Sequence, residues 1–503
     1  MDLKARMIDL RIHRRMVLMH EKDAQELGVL AHDWVQIAST NCRTITFVDT
    51  TDSYLKPGEA GIFEDLLEVF QVAEGERIQV SPAPPPESIQ YIQKQIKGHP
   101  LTRNEYSVIM RDLVDHRLSE VEIAAFLLSE EFHGLSINQI EYLTRAMVET
   151  GMVIDFDRPC FDKHSIGGVP GNKVTLLIVP IVAAAGLLIP KTSSRAITSA
   201  SGTADTMEVL ANVDFDATEL KKMALRTSGA IVWGGKLGIA PADDLLIRVE
   251  HPLKIDPFGQ MLASILSKKL AVGADHVVID IPVGEGAKVA KVEEAQKVAQ
   301  SFVELGERFK IQLQCGITYG GQPVGHAVGP ALEAREALLA LQGQGPASLV
   351  EKSTALAGIL LEMGFVAPQG QGKELAKNVL TSGKALKKMQ EIIEVQGGNP
   401  NLRPEEISVG EHKIAVQAPC DGFVTRVDNN AITAIARASG APKEKGAGIT
   451  LKWKRGNKVK KSETLLEIYA QRPSKLREAH NLALKMKPVT IEGMLLHKIP
   501  ETV

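Results

Sequence analysis

Two loops in the centre of the chain carry the residue types that can hold a phosphate group. The first loop covers residues 163–173 and begins with Lys163, His164 and Ser165, and the second covers residues 193–208. Glycines allow backbone shapes closed to other residues, and each loop leads into a segment with a helical pattern, whose first N–H groups favour an anion. Hydroxyl groups and cations for the phosphate oxygens stand at Lys163, Ser165, Ser193, Ser194, Arg195, Thr198, Ser199, Ser201 and Thr203. This composition, repeated in two loops, favours an anion site over two simple turns.

The segments around these loops predict a sheet that positions them. An apolar segment, residues 174–189, separates the two loops, and further along the chain helices alternate with short apolar strands at 230–233, 276–281 and 310–313. Such alternation is typical of a parallel sheet covered by helices. Because ligands bind at the carboxyl ends of parallel strands, we expect the binding loops to meet there.

The two ends of the chain have different patterns. Residues 1–84 show short alternating runs, similar to small double-psi barrels, and end at a proline-rich linker, residues 81–86. A helical period follows, with capping boxes that pair Thr102 with Glu105, Ser119 with Glu122 and Ser136 with Gln139. Beyond residue 400 strands return, and we interpret the basic run 451–459 as a hairpin at a solvated sheet edge.

The predicted fold is therefore multidomain, combining α/β and α+β parts. Residues 1–84 form a small β-rich, barrel-like module with an assembly role. Residues 85–402 form the central catalytic region, with a helical lobe at about 87–155 and 243–270 and an α/β phosphate-binding part at about 160–242 and 271–402, a mixed sheet covered by helices. Residues 403–503 form a C-terminal α+β domain.

Composition excludes several classes of protein. With 503 residues, 44% of them hydrophobic, the chain can bury a large core, and a net charge of −3 gives no basic field for non-specific nucleic-acid binding. Four cysteines, spread without CxxC spacing, predict neither a zinc site nor a disulfide framework. We expect a cytoplasmic homo-oligomer, dimer-based and enlarged through residues 1–84, which acts on small molecules without a metal, a cofactor, nucleic acid or a membrane.

The second loop, residues 193–208, resembles the signature of the thymidine and pyrimidine-nucleoside phosphorylases. Further matches include Lys163-His164-Ser165, Ala240-Pro241-Ala242-Asp243, residues 263–270, Gly321-Gln322-Pro323 and Asp421-Gly422-Phe423-Val424. The extra module 1–84 and polar substitutions in the pocket are similar to the archaeal AMP phosphorylase branch. The resemblance implies that nucleoside 5′-monophosphates, AMP and also CMP and UMP, are cleaved by phosphate to a free base and ribose 1,5-bisphosphate in nucleotide degradation.

Three alternatives stand beside this interpretation. The first is a pyrimidine-nucleoside phosphorylase, and the second is a transferase similar to anthranilate phosphoribosyltransferase. A transferase of that kind would carry an acidic motif for magnesium, which the sequence does not show. The third is a nucleic-acid binder that uses residues 1–84, which would bind with strong salt dependence.

The resemblance also implies roles for individual residues. Inorganic phosphate is expected to bind to Lys163, Ser165, Ser193 and Thr203. Gly168 allows the backbone to approach it closely. The base lies near Arg248, Ser264 and Lys268, and the 5′ end of the sugar near Lys288, where the nucleoside relatives typically carry an apolar or aromatic residue. The nucleotide-binding set is completed by Ser194, Arg195, Ala196, Ile197, Thr198 and Ser199.

Two residues are candidates for the acid that protonates the departing base. Asp256 is flanked by apolar residues, and a partly desolvated carboxyl can have its pKa raised enough to donate a proton. His164 has the more suitable ordinary pKa and follows the phosphate-binding lysine. We favour Asp256, because His164 is part of the phosphate loop and its position there also fits a purely structural role.

Overall fold

The computed structural model describes residues 1–12 and 14–494. Residues 1–150 and 241–263 form one compact unit, and residues 151–240 with those from 264 onward form the other. Within the described residues, no helix is long and apolar enough to cross a membrane. The domain boundaries inferred from the sequence remain predictions.

The first unit begins with a closed six-stranded barrel whose strand order is β1-β5-β2-β4-β3-β6. Alternating side chains of these strands, such as Leu3 and Ala5 of β1, point into the barrel core. The predicted barrel-like fold is confirmed. Its strands and two short helices are β1 (Asp2–Ile8), β2 (Met16–His20), α1 (Glu21–Leu27), β3 (Trp34–Ala38), β4 (Arg43–Thr51), β5 (Glu59–Phe63), α2 (Glu64–Leu67) and β6 (Arg77–Pro82).

The rest of the first unit is helical. All three predicted capping boxes form, with Thr102, Ser119 and Ser136 as the N-caps of α4, α5 and α6. These caps satisfy N–H groups that a helix start leaves unpaired. The helices are α3 (Ser88–Ile96), α4 (Arg103–Val114), α5 (Glu120–His133), α6 (Ile137–Glu149) and α10 (Pro241–Leu253).

The second unit contains the sheet that carries the two loops. Strand β10 (His276–Val283) pairs in parallel with β7 (Phe161–Ser165) on one side and β11 (Gln312–Tyr319) on the other. Strands β8 (Ile189–Ser193) and β9 (Gly229–Trp233) form a second parallel pair, and a bridge between residues 160 and 188 links the two groups. The strands predicted at 230–233 and 276–281 are confirmed, whereas the one predicted at 310–313 begins two residues later and extends to Tyr319. The pairings are parallel rather than mixed.

Helices cover this sheet as the sequence predicts. Helix α7 (Thr175–Ala184), which connects the two loops, is apolar on all sides and is almost entirely buried against α14 and α16. Both loops are therefore attached to a buried helix. The other helices are α8 (Thr203–Met207), α9 (Ala217–Thr227), α11 (Phe258–Ala271), α12 (Val292–Phe309), α13 (Pro330–Leu341), α14 (Ala347–Met363), α15 (Gly372–Thr381) and α16 (Lys384–Val395).

The C-terminal part contains two antiparallel sheets, with strand orders β12-β15-β17-β13 and β16-β14-β18. Its helices, α17 and α18, pack against each other. The elements are β12 (Ala327–Val328), β13 (His412–Gln417), β14 (Gly422–Val427), α17 (Asn429–Ala438), β15 (Gly448–Leu451), β16 (Lys458–Val459), β17 (Thr464–Ala470), α18 (Pro473–Met486) and β18 (Val489–Glu492).

The predicted basic hairpin at residues 451–459 is wrong. Strand β15 pairs with β12 and β17, whereas β16 pairs with β14 in the other sheet. Most of the basic run is nevertheless exposed, as expected for a solvated edge, including Lys452, Arg455 and Lys458. Lys454 is different, because it donates to the carbonyl of Pro323 and desolvation lowers its pKa to about 7. The segment connects a strand of one sheet to a strand of the other, and Lys454 is bound by the loop that contains Pro323.

Candidate active site

A cavity of about 560 Å³ lies at the carboxyl ends of the parallel strands in the second unit. Its walls come from the loops after β7, β8 and β10 and from helix α17. It brings together predicted site residues from three separate loops, namely Lys163, His164, Ser165, Gly168, Ser193, Ser194, Thr198, Ser199, Thr203 and Lys288. The expectation that the binding loops meet at this edge is confirmed.

The first loop and the loop after β10 are in direct contact at Gly168. This residue has φ +87°, and a Cβ atom there would lie only 2.5 Å from the backbone nitrogen of Lys288. Any other residue would therefore push the two loops apart. The close approach expected for Gly168 is thus made to the loop of Lys288.

Asn172 holds the serine of the first loop in place. Its Nδ2 donates to Ser165 Oγ at 3.1 Å and to Asp280 Oδ2 at 3.2 Å. Asp280, on β10, also accepts a hydrogen bond from Thr318 Oγ1 at 2.6 Å. The Ser165 hydroxyl is therefore positioned by a network that spans three parallel strands and one loop.

Beneath the cavity, two buried aspartates compensate a group of buried lysines. Asp162 forms ion pairs with Lys191, at 3.2 Å, and with Lys269. Asp280 pairs with Lys352 at 3.0 Å. Despite desolvation, these lysines hold the pKa of both carboxyls below the ordinary value.

Lys163 is buried next to this network and lines the cavity. Desolvation lowers its pKa to about 8, although the charge of Asp280 opposes the shift. His164 has its pKa well below the ordinary value, because of desolvation and because four lysines surround it, with Lys269 and Lys191 contributing most. At neutral pH the loop therefore presents a charged Lys163 beside a neutral imidazole.

The second loop uses some of its polar groups internally, which corrects part of the sequence interpretation. Asp205 accepts hydrogen bonds from the backbone N–H groups of Ala196, at 2.6 Å, and Gly202, at 3.0 Å. These two backbone N–H groups of the loop are therefore bound by a carboxylate of the loop itself. The hydroxyl side chains of this loop are what face the cavity.

Arg195 is likewise bound within its own loop. Its guanidinium donates two hydrogen bonds of 2.6 Å to Glu208 and lies 4.9 Å from the ring centroid of Trp233. It does not line the cavity, and neither do Ala196 and Ile197. In this structure the three residues shape the loop, and their predicted contact with substrate remains a prediction.

The residues expected near the base fall into two groups. Ser264 and Lys268, on α11, lie on one helix face, as their spacing predicts, and Lys268 Nζ donates to Ser264 Oγ at 3.2 Å. Arg248 belongs to α10, and Asp256 lies between α10 and α11 in the first unit. None of these four residues lines the cavity described above.

Several residues that line the cavity were not predicted from the sequence. Asn172 and Lys191 lie within or beside the two loops, and their polar character was the available signal. Glu333, at the start of α13, is buried, and desolvation raises its pKa to about 7. Asn430 and Thr433 come from α17, far along the chain, so no local pattern connects them to the loops.

Comparisons with known proteins show the family to which this chain belongs. Residues 157–386 match the "Glycosyl transferase family, a/b domain", residues 89–151 the "Glycosyl transferase family, helical bundle domain", and residues 423–489 the "Pyrimidine nucleoside phosphorylase C-terminal domain". A solved structure of anthranilate phosphoribosyltransferase from Thermus thermophilus covers 61% of this chain and 98% of its own, with a TM-score of 0.51 and 21% identity. That likeness concerns the fold alone. The three family matches define a phosphorylase of the glycosyl transferase class.

Full-length relatives narrow the class further. The AMP phosphorylase of Thermococcus kodakarensis is 52% identical over 501 residues, which is 99% of both chains. The AMP phosphorylase of Methanosarcina mazei is 50% identical over 504 residues, 100% of this chain and 99% of the relative, and that of Pyrococcus furiosus is 49% identical over 498 residues. The chain belongs to the AMP phosphorylase family, and the resemblance drawn from its motifs is confirmed.

The lowered pKa of Lys163 predicts pH-dependent anion binding. As the pH rises through about 8, Lys163 loses its proton, so the Kd for inorganic phosphate should increase about ten-fold per pH unit above that value. Calorimetry with inorganic phosphate from pH 7 to about pH 9.5 measures this. A Lys163→Gln variant should bind phosphate weakly with no such rise. A flat Kd in the wild-type protein would contradict the assignment of Lys163.

Proposed function

We propose that this protein cleaves AMP with inorganic phosphate, giving adenine and ribose 1,5-bisphosphate. The observation that carries the proposal is one cavity whose lining includes two lysines from separate loops, Lys163 and Lys288, with hydroxyl side chains from the loop 193–208. Lys173 and Lys191 also line the cavity, and they pair with Glu336 and Asp162. A nucleoside would require one anion site, for inorganic phosphate, whereas a nucleotide requires two. The full-length similarity to AMP phosphorylases supports the same substrate.

The reaction replaces one bond at the anomeric carbon by another. A phosphate oxygen forms a bond to C1′ while the N-glycosidic bond breaks, and the electron pair leaves with the base, which takes up a proton. The protein has to hold phosphate beside C1′, stabilise the charge of the sugar cation and protonate the base. We assign inorganic phosphate to Lys163, Ser165, Ser193 and Thr203, which line the cavity together.

The buried ion pairs support this assignment of phosphate. Asp162 and Asp280 keep their negative charge among buried lysines, so Lys163 can stay protonated near neutral pH in spite of its burial. A preorganised cation in a desolvated site interacts more strongly with an anion than it would in water. We therefore give Lys163 the main electrostatic role.

We assign the proton donor as Asp256 rather than His164. A group whose pKa lies well below its ordinary value carries no proton to donate at neutral pH, and this is the state of the His164 ring. His164 lines the cavity and serves to shape the phosphate loop. Asp256, in the segment between α10 and α11, is the remaining candidate from the sequence, although it is exposed in this structure and not partly desolvated as the sequence analysis expected.

The proton donor can be tested by substitution. Asp256→Asn should lower kcat by about 10²–10⁴-fold and leave the affinity for AMP nearly unchanged, because the amide keeps the shape but cannot supply the proton. Steady-state kinetics and calorimetry with AMP measure the two effects. His164→Ala is the comparison variant. Near-normal kcat in Asp256→Asn, together with a large loss in His164→Ala, would assign the acid to His164 instead.

We assign the 5′-phosphate of AMP to Lys288 with Ser194, Thr198 and Ser199. Lys288 lies in the loop after β10, against Gly168 of the phosphate loop, and all four side chains line the cavity. An ammonium group with neighbouring hydroxyls suits a phosphate dianion. This assignment explains why a site with a nucleoside-phosphorylase plan would prefer a nucleotide.

Lys288→Ala tests the 5′-phosphate assignment. Loss of a charge-assisted hydrogen bond to the 5′-phosphate supports a loss of about ten- to a hundred-fold in kcat/KM for AMP, and the loss for adenosine should be much smaller. Lys291→Ala, which removes the same charge at an exposed position before α12, is the matched control. Equal losses on AMP and adenosine would show that Lys288 does not bind the 5′-phosphate.

Further features of the function are proposed on the same basis. We extend the substrate range to CMP and UMP, and a pyrimidine-nucleoside phosphorylase is the second candidate, favoured by the match of residues 423–489. Rates with UMP and uridine separate the two.

We also propose a cytoplasmic homo-oligomer, assembled through the barrel, on which Leu10, Leu30 and Tyr54 expose apolar surface. Light scattering of the purified chain tests the assembly.

A further inference from the structure

Helix α17 forms a wall of the cavity that no sequence motif connects with substrate. Asn430 and Thr433 line the cavity, and because they are three residues apart they lie on the same face of the helix. Both side chains are polar and neutral. They therefore offer hydrogen-bond donors and acceptors to a bound molecule without adding charge.

At its N-terminal end, α17 is fastened to the loop that carries Lys288. Asn429 Nδ2 donates to the carbonyl of Gly320 at 2.8 Å and to that of Glu285 at 3.3 Å. Gly286 approaches so closely that a Cβ atom there would lie 3.0 Å from Asn429 Cβ. The face with Asn430 and Thr433 is thus held beside the Lys288 end of the cavity.

At its C-terminal end, α17 is fastened to the hydroxyl-rich loop. Arg437 Nη1 donates to the carbonyls of Ile197 and Ser199, both at 2.9 Å. One helix therefore contacts both loops to which we assign the 5′-phosphate. Asn430 and Thr433, on the helix face between these two ends, therefore lie between the two loops to which we assign the 5′-phosphate.

The helix end itself is not the anion site. The N–H groups of Asn430 and Ala431 donate to the carboxylate of Asp428, at 2.9 and 3.0 Å. Asp428 in turn pairs with Arg426 at 3.1 Å. Any contact with a ligand at this end therefore has to come from the side chains of Asn430 and Thr433.

We propose that Asn430 and Thr433 are specificity-determining residues that hydrogen-bond the 5′-phosphate of the nucleotide, alongside Lys288. The inference rests on the proposed function and extends the nucleotide site to the C-terminal part of the chain. The Asn430 amide and the Thr433 hydroxyl donate to phosphate oxygens. Lys288 supplies the positive charge, and α17 fixes the positions of the two hydrogen-bonding side chains.

The test compares kcat/KM for AMP with kcat/KM for adenosine in two variants of α17, with Thr433→Ser and Asn401→Asp as controls. Asn430→Asp places a carboxylate against the 5′-phosphate and should lower the AMP-to-adenosine ratio of kcat/KM by about ten- to a hundred-fold. Thr433→Val removes one hydrogen bond to a charged group and should lower that ratio about ten-fold, whereas Thr433→Ser, which keeps the hydroxyl, should restore it. Asn401→Asp, at an exposed position away from the cavity, controls for the added charge.

A second readout makes the test independent of turnover. Calorimetric affinities for AMP and adenosine should show the same change in ratio, and thermal unfolding identifies any variant that fails to fold. Equal losses on AMP and adenosine in both α17 variants, when Lys288→Ala discriminates between them, would overturn the role of α17 and leave the proposed function intact. If Lys288→Ala fails to discriminate while the α17 variants do, the role of α17 stands and the assignment of Lys288 falls.

Discussion

The buried ion pairs of Asp162 and Asp280 are the interaction on which the rest of this site depends. A charge buried without a partner is strongly destabilising, so lysines can stay protonated beneath a cavity only if carboxylates compensate them. Asp162 pairs with Lys191 and Lys269, and Asp280 with Lys352. Both aspartates sit on central parallel strands, which fixes the positive field at the carboxyl edge of the sheet. This arrangement supports the proposed binding of inorganic phosphate by Lys163 and the hydroxyl groups of the loops.

The sheet and α7 explain why sequence-distant loops meet in one cavity. Parallel strands direct their carboxyl ends to the same edge, and the buried α7 ties the first loop to the strand that opens the second. Gly168 then allows the loop of Lys288 to close against the first loop. The C-terminal part contributes α17 through Asn429 and Arg437. The proposed nucleotide site therefore combines four segments that only the fold brings together.

Local patterns predicted much of this fold, and long-range contacts account for what they missed. The capping boxes of α4 to α6 and the strands at 230–233 and 276–281 depend on neighbouring residues, and the structure has them where expected. The hairpin at 451–459 failed because β15 and β16 take distant partners. Glu208 binds the charge of Arg195, which the sequence analysis had assigned to a phosphate. Asn430 and Thr433 carry no local signal. The chemical role of Asp256, which depends on its distance from the base, stays a prediction.

The central claim is that one cavity binds two phosphate groups, one from the medium and one at the 5′ end of the substrate. The most direct measurement is base release by the purified protein from AMP, CMP, UMP and the matching nucleosides, with and without inorganic phosphate. We expect adenine release from AMP that requires inorganic phosphate and yields ribose 1,5-bisphosphate in equal amount, with far slower release from adenosine. Release from adenosine as fast as from AMP, or release from AMP that does not depend on phosphate, would contradict it.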